Sequence, residues 1–145
     1  METSEILFAL LRHVVCGEAL KEETRNACTP EALESVYALA KKQDLAHLVA
    51  QAAERLSVPE CEVLQKLKKA RMGAIYRYVR MDHALEGICR ILEAAQIPFV
   101  PLKGAVLRQY YPEPWMRTSG DIDILVQEKD FERAVRVRMI NTRTN

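Results

Sequence analysis

Apolar residues recur at helical spacing through most of the first ninety or so positions, and the pattern changes character near residue 97. Ile6, Leu7, Leu10, Leu11, Val14 and Val15 share one face behind a cap at Thr3 or Ser4. Thr29 is the clearest helix start: its hydroxyl can cap, Pro30 fits the first helical position, and Glu31 favours the positive helix end. Leu33, Val36, Tyr37 and Ala40 then line a face. The stretch "DLAHLVAQAAERL", starting at Asp44, places Leu45, Leu48, Val49, Ala52, Ala53 and Leu56 on one stripe. Ser57 or Val58 before Pro59 suits another helix entrance. From there to Gln96 only Gly73 and Gly87 interrupt the pattern, which reads as one long helix or two consecutive ones, ending on Met81, Leu85, Ile88, Cys89, Leu92 and Ala95.

Beyond that point "IPFVPL" is a short apolar strand punctuated by Pro98 and Pro101. "KGAVLRQYY" follows as a short helix, "PEPWMRTSG" as a loop, "DIDILV" as a second strand and "EKDFERAVRVR" as a helix. The final "MINTRTN" has no organising period and is expected to fray. The pattern predicts an α+β chain: a helical region over 1–80, then a region over 81–145 ordered helix, strand, helix, strand, helix around a small sheet.

Composition narrows the function classes. A chain of 145 residues suits one ordinary domain, or a small one with a helical extension, and 49% hydrophobic residues allow a modest core. The formal charge of +1 gives no strong field toward nucleic acid or an anionic membrane. A nucleic-acid reading would rest on Arg133, Arg136, Arg138 and Arg143 alone. No apolar run approaches the roughly 20 residues of a membrane span, and Glu2 and Glu5 stand where a secretory signal carries basic residues. Cytoplasmic residence is the expectation. Cys16, Cys28, Cys61 and Cys89 are widely spaced, and His13, His47 and His83 are scattered, so zinc-ligand spacing is missing and the thiols are expected to be reduced, with Cys89 buried.

Chemistry concentrates in "TSGDIDILV". Residues two apart share a strand face, so Asp121 and Asp123 present their carboxylates together while Ile122, Ile124 and Val126 face a core. Adjacent carboxylates are costly without a cation between them, and magnesium takes one or two such groups, filling its shell with water and phosphates. The plainer reading is two solvated aspartates at a strand mouth. In "PLKGAVL", Gly104 follows a strand and opens a helix, where unpaired amides and the helix dipole suit phosphate, and Lys103 can add a point charge. A turn glycine beside a solvated lysine is the alternative. Arg108 and Arg117 are candidates for phosphate oxygens or for fixing a carboxylate, Arg117 the better placed; Arg108 also reads as a surface helix residue. Tyr110, Tyr111 and Trp115 can stack on a base or anchor the loop. Met72 and Met81 read as packing residues, and His83 as a surface or half-buried one.

Residues 97–134 resemble the uncharacterised nucleotidyltransferase family, whose hallmark is an LKG turn, an arginine and then DIDLLV. The helices before them are similar to that family's N-terminal region. The resemblance implies a polymerase-beta-type fold, here a partial αβαβα nucleotidyltransferase core. It also implies transfer of a nucleoside monophosphate from an NTP to an unknown acceptor hydroxyl with Mg2+. Gly104 would take the turn glycine's role, with Lys103, Arg108 and Arg117 as nucleotide contacts, and Asp121 and Asp123 the catalytic, metal-binding carboxylates. Three features depart from the pattern: Ala105 stands where the broader superfamily usually has a second Ser or Gly, the segment from Gly104 to Asp121 is longer than in many members, and no later strand supplies a third carboxylate. As written, the chain reads as a shortened or diverged member whose exposed sheet edge a partner protein could cover. A non-catalytic helical interaction module with a vestigial site is the alternative reading.

Overall fold

The computed structural model describes residues 1–56 and 58–142, the side chains of 138–142 excepted. Two compact units divide the chain, Met1–Tyr76 and Arg77–Asn145.

The first unit is helical. Helix α1 (Thr3–Cys16) starts at Glu2, whose amide donates to Glu5 Oε2 at 2.9 Å, so the cap is Glu2 rather than Thr3 or Ser4. The Glu5 carboxylate reaching back to the Glu2 amide is one half of a capping box, the Glu2 side chain accepting from the Glu5 amide the other. A six-residue helix, α2 (Glu22–Ala27), lies where the sequence shows no apolar period. Helix α3 (Pro30–Lys42) is capped as its sequence requires, with Thr29 Oγ1 accepting from the Ala32 amide at 3.3 Å. Helix α4 (Ala46–Arg55) begins two residues later than expected, because Asp44 takes φ 52° and terminates α3 instead. The Leu45 amide then returns to the Ala40 carbonyl at 2.8 Å, as in left-handed helix endings. Leu10, Leu33, Val36 and Val49 are fully buried, joined by Leu67 of α5.

Helix α5 (Glu62–Ala94) is continuous through Gly73 and Gly87, and it starts at Glu62 rather than Pro59; Ser57 lies outside the described residues. Its residues to Tyr76 belong to the first unit and the rest to the second. Met72, expected to pack, is exposed, and Cys28 rather than half-exposed Cys89 is the buried thiol. Burial holds the Cys28 thiol above its ordinary pKa.

In the second unit, β1 (Phe99–Pro101) pairs antiparallel with β2 (Ile124–Val126), matching Phe99 to Val126, Val100 to Leu125 and Pro101 to Ile124. Helix α6 (Gly104–Leu107) follows β1, and α7 (Phe131–Thr142) follows β2. The fold is therefore α+β, in the expected order of helix, strand, helix, strand, helix. Residues 139–142, expected to fray, continue α7, and 143–145 lie outside the described residues. Ile122, Ile124 and Val126 line an apolar cavity of about 180 Å³ with Ile88, Ile91 and Phe131. Val100 and Leu125, opposite each other on the other sheet face, are exposed. Arg133 donates to the Ala95 carbonyl just past the end of α5, and Arg136 lies 3.8 Å from Glu132, so these arginines meet local acceptors; the side chains of Arg138 and Arg143 lie outside the described residues. No helix among the described residues is long and apolar enough to cross a membrane.

Candidate functional site

Antiparallel pairing carries the LKG turn and the acidic pair to the same end of the sheet. The ladder runs one step past both strands: the Leu102 amide donates to the Asp123 carbonyl at 2.9 Å. Asp121 and Asp123 thus stand just ahead of β2, on the lead-in to the strand rather than within it. Asp121 is exposed. Asp123 is half-buried, and its Oδ2 lies 3.1 Å from Lys103 Nζ. A lysine thus already sits beside one of the two carboxylates.

The turn owes its shape to two unusual residues. Lys103 holds φ 48° and ψ −114°, a conformation that normally selects glycine because a side chain crowds the backbone there. Its carbonyl accepts the first amides of α6, from Val106 at 3.1 Å and Leu107 at 2.8 Å. Gly104 is buried, and a Cβ there would stand 2.9 Å from Ser119 Cβ and 3.1 Å from Ser119 Oγ. The glycine is required by the approach of the loop that leads to the aspartates. Helix α6 is a single four-residue turn passing into a 3-10 turn at Arg108–Tyr110, so its dipole is small.

Arg108 is buried, with only 7% of its surface exposed. Its Nε donates to the Gly104 carbonyl at 3.1 Å, Nη2 reaches Ser119 Oγ at 3.5 Å, and Nη1 stands 3.8 Å from Asp82 Oδ1. The guanidinium also lies 5.3 Å from the centre of the Tyr78 ring, a cation–π contact. Charge pairing and stacking offset part of the cost of burying the cation. This arginine braces the turn against α5 and the loop, and the surface-residue reading does not hold. Neither Asp82 nor Ser119 carries a sequence signal; Tyr78 and Asp82 are four apart on α5, a shared face visible only once Arg108 is known to pack there.

Met116 anchors the loop by burial, while Tyr110 is among the most exposed side chains. Trp115 is half-buried and His83 exposed. Arg117 Nε is buried and meets no hydrogen-bond acceptor among the described residues. An orphaned buried cationic N–H is costly as it stands, and Arg108 Nη1 is in the same position.

Among the described residues, no group of three or more His, Cys, Asp or Glu side chains forms a metal cage. Two carboxylates, one of them beside the Lys103 ammonium, are a donor type that suits a magnesium ion completing its shell with water and phosphate. The donor chemistry therefore matches a metal brought in with a nucleotide.

The model of a family described as "Uncharacterised nucleotidyltransferase" matches residues 29–139, from the cap of α3 through the turn, the loop and both aspartates. No match is found among the curated proteins or the solved structures.

Proposed function

The chain belongs to the uncharacterised nucleotidyltransferase family, and on that premise we propose that it transfers a nucleoside monophosphate from an NTP to an acceptor hydroxyl. One observation carries the proposal: β1 and β2 pair so that the LKG turn and the DxD segment come to one sheet end, with the Leu102 amide on the Asp123 carbonyl and Lys103 Nζ 3.1 Å from Asp123 Oδ2.

Each residue has a distinct task in this reading. Asp121 and Asp123 supply hard oxygen ligands to Mg2+. Held there, such an ion would supply charge neutralisation for the phosphate oxygens. Lys103 and Arg117 supply further positive charge to the triphosphate. Gly104 lets the loop close against the turn. Arg108 holds that closure through Gly104 and Ser119, with its Nη1 in a charge contact with Asp82 but without a hydrogen-bond acceptor. Catalysis is then positioning and electrostatics, as phosphoryl transfer generally requires.

A second reading, a relative that binds nucleotide without turning it over, draws support from the two-acid donor set among the described residues. Calorimetric titration with Mg2+ and an NTP tests binding: heats are expected for the wild type and lost in Asp121→Asn/Asp123→Asn, and equal heats in both would remove the site. Following a labelled α-phosphate into a broad acceptor panel tests turnover; transfer supports the first reading, and binding without transfer the second.

A further inference from the structure

We propose that Lys103 is the resident counter-ion of the acidic pair, making metal binding contingent on nucleotide; this rests on the reading of Asp121 and Asp123 as the metal site. In the structure, the Lys103 ammonium lies 3.1 Å from Asp123 Oδ2, with side chains 74% and 41% exposed. A pair this open to water is weak and readily exchanged. The neighbouring backbone is not: the Leu102 amide is tied to the Asp123 carbonyl at 2.9 Å. Lysine and aspartate are thus kept within reach of each other whatever the side chains do.

The backbone of Lys103 adds an independent sign. At φ 48° and ψ −114° a glycine would be the unstrained choice, yet a long cationic side chain occupies the position beside Asp123. Strain kept in this way points to a use for the side chain.

Charge bookkeeping gives the direction. Two aspartates and one lysine leave the cluster with one net negative charge. A divalent ion arriving alone competes with the ammonium for Asp123 and is repelled by its charge. An ion arriving on a triphosphate brings oxygens for that ammonium, so Lys103 moves from carboxylate to phosphate while the metal takes its place. The same side chain therefore opposes free metal and favours metal-nucleotide, a coupling between two ligands of one site. A purely structural lysine has no reason to act with opposite signs.

The test is titration of Mn2+, alone and with a non-hydrolysable NTP analogue, read by electron paramagnetic resonance on the whole chain. Thermal melts accompany each variant to establish folding. Lys103→Met is expected to tighten Mn2+ alone severalfold and to weaken the Mn2+–nucleotide complex severalfold. Lys103→Arg is expected to keep the wild-type pattern. Lys103→Gly, which also relieves the backbone, is expected to behave as Lys103→Met. If folded Met and Gly variants bind Mn2+ alone no more tightly than wild type, while Asp123→Asn weakens it, the counter-ion role is wrong and the metal site stands. If Asp121→Asn/Asp123→Asn leaves Mn2+ binding unchanged, the site itself is wrong and this role falls with it.

Discussion

A methyl group on Gly104 would sit 2.9 Å from Ser119 Cβ, closer than carbon atoms approach unless one of them moves. Ser119 belongs to the loop that Arg108 holds, so relief requires shifting the segment that leads to Asp121. Gly104→Ala is expected to cost about 1–3 kcal/mol, the usual range for overpacking. Melting curves check this, and Ser119→Gly in the same chain should recover most of the loss. Failure to recover would place the strain elsewhere. Glu31 offers a residue-scale pH prediction. Its carboxyl is held below the ordinary glutamate value, first by its own backbone amide and then by the Thr29 hydroxyl. With the folded value lowered, the unfolded chain takes up the proton first. The stabilisation is complete above the ordinary value and disappears as pH falls through the lower folded one. Thr29→Ala should therefore lower stability at neutral pH, by about 1 kcal/mol for the lost cap. It should also shrink the acid-side loss, measured by denaturant midpoints across falling pH.

At the scale of elements, legibility in the sequence followed the range of the interactions involved. The α3 start was readable because Thr29, Pro30 and Glu31 act on their own backbone within one turn. Helix α2 was not, since six residues with Thr24 as their buried member carry no apolar period. The true start of α4 was hidden by Asp44, whose side chain suits a helix cap while its backbone had gone left-handed to close α3. The turn and the acids were legible as a motif. The brace of Arg108, Asp82, Tyr78 and Ser119 was not, because Arg108 lies far along the chain from Tyr78 and Asp82 and meets them only after folding. Within α5 the glycines allow a direct test. A Cβ at Gly73 or Gly87 would meet nothing within 4 Å, so neither glycine is demanded by packing. Gly73→Ala and Gly87→Ala should each stabilise by about 1 kcal/mol through helix propensity, raising the melting temperature by about 3 °C apiece. A fall in either variant would mean that the helix needs flexibility at that position.

Over the whole molecule, burial is unevenly shared between the two units. The largest fully buried side chains, Leu10, Leu33, Val36, Val49 and Leu67, all lie in Met1–Tyr76. In the second unit the buried apolar residues include Leu92, Ile97 and Met116, while Val100, Leu125 and Phe131 remain exposed around a two-stranded sheet. Backbone amides open most readily where few apolar contacts must be broken. Hydrogen exchange on the whole chain is therefore expected to divide into slow amides in α1, α3 and α4 and faster ones in β1 and β2. A single two-state free energy would then misdescribe unfolding. Ligand binding acts on the folded site alone, so it raises stability where the ligand sits. Adding Mg2+ with a non-hydrolysable nucleotide should slow exchange at Leu102 and in β2, and leave the α1, α3 and α4 amides nearly unchanged. Uniform slowing in both units would mean that they open together. No slowing near Leu102 would separate the sheet end from the ligand and count against a nucleotide at the Lys103–Gly104 turn.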